Sequence, residues 1–126
     1  MKIVALIARL LLGLIFTVFG ANGFLHFLPM PPMPPSTATT FVMILISTHY
    51  VYVVSGIQLI GGLLLLVGRF VPFALTILGP VIVNIFLYHL LMSPDGLGLA
   101  ITVVVLWAIE FWYHKKAFEG ILASGS

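Results

Sequence analysis

The side chains able to do chemistry in this sequence fall into two groups. The first is Asn22, His26, His49, Gln58, Asn84 and His89. Imidazole can ligate a metal, carry a proton or hold a hydrogen bond. Three histidines at one depth could therefore line a pocket for a metal, a haem or a quinone-like ligand. The spacing argues against metal: there is no HxxxH or HExxH pattern, and the Cys count of 0 excludes thiolate ligands. Asn84 and His89 stand about 140° apart on an ideal helix, so they share a target only if Pro80 distorts the helix between them. The plainer reading is interfacial histidines and an Asn bonded to a neighbouring helix.

The second group is Arg9, Glu110 and His114. Arg9 lies about 9 Å inside the first apolar run and Glu110 about 7 Å from the end of the last, at 1.5 Å per residue. A charge inside a membrane costs about 2.5–3.5 kcal/mol near the midplane, and pairing offsets much of it. A structural ion pair, Arg9 with Glu110, is the expectation. The alternative is that Arg9 reaches the headgroups alone. Glu110 and His114 are one turn apart and could share a proton, although an ordinary interfacial His is the plainer reading. Arg9 also shares a stripe with Gly13, Phe16, Gly20 and Phe27, at small multiples of the helical repeat. Small residues there let another helix approach. Ser55, Gln58 and Gly62 share a face of their own, with Asn84 the natural partner for Gln58.

The elements that must position these groups follow from composition. Of 126 residues, 62% are hydrophobic and 6% charged, against about 25% charged in soluble domains. Apolar runs cover residues 3–28, 41–67, 70–92 and 97–113. Crossing a bilayer takes roughly 20 apolar residues. The sequence therefore predicts an all-α, four-transmembrane-helix antiparallel bundle, a single membrane domain over residues 1–126. Its helices should cover about 3–28, 37–67, 72–92 and 97–114. Residues 37–67 are too long for one straight span. A break near residues 47–49 would leave an extra interfacial or cavity-lining segment before helix two, and one tilted helix is the alternative.

Punctuation supports this division. Pro29 should end helix one, and Pro31, Pro32, Pro34 and Pro35 make a stiff connection that belongs at the surface. Met30 and Met33 give it an apolar side. Ser36 or Thr37 can cap the next helix. Residues 68–71 read as a tight turn before Pro72, and Pro80 should kink helix three. Residues 93–96 read as a type I turn. Trp107, Trp112 and Tyr113 are expected at one interface, and Tyr50, Tyr52 and Tyr88 toward the other.

Threaded up and down, the chain puts Lys2, Arg9, Arg69, Lys115 and Lys116 at one side and only Asp95 at the other. Loops rich in Lys and Arg stay cytoplasmic, so both termini are expected inside. The same rule accounts for the net charge of +2, and a nucleic-acid partner is rejected because the basic residues form no patch.

Taken together these segments resemble a known family. Residues 8–16 (ARLLLGLIF) with Gly20-Ala21-Asn22-Gly23, residues 54–65 (VSGIQLIGGLLL) and residues 80–89 (PVIVNIFLYH) are similar, in order and spacing, to the first three helices of the DoxX family. The resemblance implies a four-helix protein of the bacterial inner (plasma) membrane, found in redox settings such as quinone-coupled thiosulfate oxidation. Many relatives carry an acid where this chain has Gln58, so a proton relay through that position is not implied here.

The functional expectation is a redox-associated subunit holding a quinone or other small apolar ligand in a polar cavity of the outer half. Its contacts would come from His89, Asn84, His49, Gln58, His26 and Asn22. A redox-protein partner or a homo-oligomer in the lipid bilayer goes with that reading. One alternative is a non-enzymatic scaffold or assembly factor. Another is a small transporter, disfavoured because helix one carries Arg9 rather than a carboxylate. No self-contained catalytic motif is present.

Overall fold

The computed structural model describes residues 2–26 and 34–123. Within them the chain forms six α-helices: α1 Lys2–Leu25, α2 Thr37–Ser47, α3 Tyr50–Val67, α4 Val71–Leu91, α5 Leu97–Tyr113 and the short α6 Glu119–Leu122. Short 3-10 turns at Pro94–Gly96 and Lys115–Phe118 flank α5. Four segments are long and apolar enough to cross a membrane: Lys2–Leu25, Tyr50–Val67, Val71–Leu91 and Pro94–Tyr113.

Helix one stops sooner than its apolar run. The backbone of His26 turns left-handed at φ 51°, and its N–H donates to the Asn22 carbonyl at 2.8 Å. His tolerates this conformation better than most side chains. The expectations for Phe27, Leu28, Pro29, Met30, Pro31, Pro32 and Met33 lie outside the described residues.

Ser36 caps α2, its hydroxyl accepting from the Thr39 N–H at 3.2 Å. At the far end the Thr48 N–H and hydroxyl both donate to Ile44, at 3.1 and 2.7 Å. His49 then takes φ 62°, and α3 starts in a new direction. Residues 37–67 are thus two helices joined at Thr48 and His49.

The four long helices close into a ring. α1 packs most extensively on α3, α3 on α4, α4 on α5, and α5 back on α1. The α1–α3 seam is tight because it lacks side chains. A Cβ added at Gly13 would stand 3.0 Å from the Gly62 carbonyl, and one at Gly20 would stand 2.5 Å from the Leu59 nitrogen. At Gly62 it would stand 2.5 Å from the Thr17 nitrogen. In lipid, where no hydrophobic force draws helices together, such close packing is the main attraction.

The interior is filled by Leu12, Phe16, Leu65, Leu75, Leu78 and their neighbours. The chain past α5 adds to it. Phe118 is buried and lies 4.8 Å, ring to ring, from Phe111, which stacks on Trp107 at 5.2 Å. The Trp107 indole N–H donates to the Leu75 carbonyl on α4 at 2.9 Å, which makes it a cross-brace between α4 and α5.

Candidate functional site

Antiparallel packing sorts the two chemical groups to opposite ends. One end gathers the start of α1, the α3–α4 turn and the end of α5, and so collects Lys2, Arg9, Arg69, Lys115 and Lys116. The other gathers His26, His49, His89 and Asp95. They are called the arginine end and the histidine end below.

At the arginine end, α3 finishes on Gly68, which takes φ 73°. This left-handed conformation favours glycine. Both the Gly68 and the Arg69 N–H donate to the Leu64 carbonyl, at 2.9 and 3.2 Å. The neighbouring Leu65 carbonyl receives the Arg9 guanidinium instead, with Nη1 at 2.6 Å. A cation at the carbonyl end of a helix also meets the negative end of its dipole. Gly68 is needed a second time here, since a Cβ on it would overlap the guanidinium.

Glu110 stands on α5 at this end with 0% of its surface exposed. Neither carboxyl oxygen has a hydrogen-bond partner among the described residues. Its nearest polar approach is the His114 imidazole one turn on, Nε2 to Oε2 3.5 Å. The Arg9 charge acts on both groups. Burial first, and Arg9 second, lower the His114 imidazole below its ordinary value. Outside the helix, the Lys115 ammonium lies 4.0 Å over the Trp112 ring.

Arg9 acts on Glu110 through its charge and makes its direct bond to Leu65. Among the described residues no ion pair forms between Arg9 and Glu110. Arg9 has a closer acceptor in the frayed end of α3, whose last carbonyls lack helical donors. Sequence reasoning missed Leu65 and Gly68 as its partners. The signal was present in Gly68-Arg69, a helix-ending pair at the depth of Arg9, but side-chain reach across helices is not written in periodicity.

Of the six candidates, His89 and Asn84 bond backbone carbonyls four residues away, and His49 makes a local ring contact. His89 Nδ1 lies 3.1 Å from the Ser93 carbonyl. A carbonyl only accepts, so this bond puts the proton on Nδ1 and leaves Nε2 an acceptor. The ring also packs edge-on against Tyr88 at 5.0 Å, and Tyr88 meets Phe41 of α2 at 5.5 Å. Asn84 is exposed, and its amide donates back to the Pro80 carbonyl at 2.8 Å. It therefore does not bond Gln58, which is half-buried. His49 is exposed and stacks on Tyr52 at 5.7 Å, which stacks on Phe24 at 5.6 Å. His26 is exposed at the end of α1, and Asn22 is half-buried one turn before it.

Among the described residues, no hydrogen bond or ring contact joins any two of His26, His49, Gln58, Asn84 and His89, and no group of three or more His, Cys, Asp or Glu is placed to hold a metal. An apolar groove of about 480 Å³ runs between α4 and α5. Ile82, Val83, Phe86 and Leu87 form one wall, Val104 and Trp107 the other, and Gly79 opens it. None of the six candidates lines this groove. The reason is local: short polar side chains on these helices reach their own backbone four residues away sooner than a neighbouring helix.

The DoxX family model matches residues 4–90. That span is more than half of the chain and holds α1, α2, α3 and most of α4. The chain belongs to the DoxX family. No match to it was found among the curated proteins or the solved structures.

Proposed function

We propose that this DoxX-family membrane protein is a redox-associated subunit that holds a quinol-like or similar apolar ligand against α4. The observation that carries the reading is the α4–α5 groove, about 480 Å³ and walled by apolar side chains. Ligand pockets typically span 300–1,000 Å³ and combine an apolar wall with a few polar groups. An isoprenoid or acyl tail suits Ile82, Val83 and Phe86. His89 lies three residues beyond Phe86 on the same side of α4, and its Nε2 acceptor suits a ligand hydroxyl.

The protein has no thiol of its own, so electrons would be exchanged with a redox-protein partner through the ligand. The basic residues at the arginine end favour both termini in the cytoplasm of a bacterial inner membrane. The histidine end then faces outward, with α2 in the interface or beside the cavity mouth.

Extraction of the protein in native-lipid particles, followed by mass spectrometry, tests this. A quinone or other isoprenoid lipid should be enriched over bulk membrane. Filling the groove with Gly79→Leu should abolish the enrichment, and His89→Phe should weaken it. Equal lipid content in all three would sink the reading. It would favour a non-enzymatic scaffold, for which the large apolar faces of the ring suffice.

A further inference from the structure

The buried carboxyl of Glu110 has no part in an apolar-ligand site at the other end of the molecule. Its surroundings pose a separate problem. A charged carboxylate removed from water costs several kcal/mol unless donors or an opposite charge compensate it. Here both oxygens lack hydrogen-bond partners among the described residues, and the Arg9 Nη1 donates to Leu65 instead. A resident metal cation is disfavoured by the positive Arg9 beside it. A proton remains: it neutralises the group where it stands.

We propose that Glu110 is a proton-binding site of the arginine end, exchanging its proton with solvent through His114. Glu110 holds the proton on Oε2. The O–H bond breaks as His114 Nε2, 3.5 Å away, closes in and accepts it. The imidazolium formed then loses a proton to water, which His114 can reach because 27% of its side chain is exposed while Glu110 shows 1%. The negative charge left on Glu110 faces Arg9, whose charge acts on both partners. One proton enters or leaves per cycle, and no other bond changes.

The groups facing this site are few. From α1 comes Arg9, and from α5 itself His114. The titratable side chains of α4, Tyr88 and His89, lie at its opposite end, and the carboxyl of Glu119 beyond α5 is exposed. α3 and the following turn offer Gly68 and backbone carbonyls, with Arg69 exposed. The site is thus one carboxyl and one imidazole with a single fixed cation, an arrangement able to hold one proton between two groups.

The test is infrared difference spectroscopy of the protein in lipid, scanned from about pH 4 to pH 9, the ordinary range of carboxylates and imidazole and about two units beyond. Wild type should show a protonated-carboxyl band that fades as pH rises and is lost in Glu110→Gln. In deuterated buffer that band should shift, and His114→Asn should slow the shift by about tenfold or more, as loss of a positioned proton carrier does. His114 is near the surface, so this variant keeps the fold. Absence of a Glu110-dependent band in wild type overturns the proposal. So does exchange at the same rate in His114→Asn.

Discussion

The two ends of the molecule differ in the reach of their polar bonds. At the arginine end, and along α5 as it leaves it, two bonds are long-range beside the local one from Thr76 to Pro72: Arg9 reaches a carbonyl 56 residues away and Trp107 one 32 residues away. At the histidine end they are local: His89 to Ser93, Asn84 to Pro80 and Thr48 to Ile44 each span four residues. In lipid polar groups need internal partners, and either kind of bond supplies one, although the Glu110 oxygens have none among the described residues. Only the long-range bonds tie helices together. At the histidine end that is left to ring contacts, Phe24 with Tyr52 and Phe41 with Tyr88.

The largest effect should come from the seam that lets Arg9 reach α3. Gly20→Leu forces a side chain against the Leu59 backbone, where even a Cβ would stand 2.5 Å from nitrogen. Overpacking of this kind costs about 1–3 kcal/mol or more, and the protein should melt early in mild detergent or fail to accumulate in membranes. Gly98→Ala is the contrast. A Cβ there meets nothing within 4 Å, and melting should stay as in wild type. Equal melting of both variants would show that the seam does not organise the bundle.

Next in size is the clamp itself. Arg9→Met keeps the apolar stem and removes the bond to Leu65, a hydrogen bond to a charged group worth about 1.5–3 kcal/mol. Asn84→Leu removes only a local bond from an exposed side chain and should change stability by less than about 0.5 kcal/mol. Chemical unfolding of both in the same detergent reads the difference. If Asn84→Leu costs as much as Arg9→Met, the contrast between long-range and local bonding fails.

The legible and illegible parts of this sequence divide along the same line. Helices, turns and the Gly13–Gly20 face follow from periodicity and from Gly and Pro, because these are properties of neighbours in the chain. The burial of Glu110 and the depth of Arg9 were legible for the same reason. What Arg9 touches was not. Choosing between Glu110 and Leu65 depends on how the end of α3 turns, and that is settled by a left-handed Gly68 two helices away. The six polar candidates of the other half were legible as residues but not as a site. Helical depth placed them level, yet the Asn84 and His89 side chains bond backbone carbonyls four residues away. Phe118 was missed because a single aromatic after two lysines has no period to mark it as core.

The smallest effect separates the ends by pH. His114 is held below its ordinary value in the folded protein, by burial and then by Arg9, whereas in the unfolded chain it returns to about 6.5. Below that value the unfolded state binds more protons, so acidification favours unfolding. Stability from this source is intact above about pH 6.5 and lost as pH falls through it. The measurement is the difference between wild type and His114→Asn, melted in parallel from neutral to mildly acidic pH. The variant should lose less stability on acidification. An equal slope in the two proteins would leave His114 without influence on the fold.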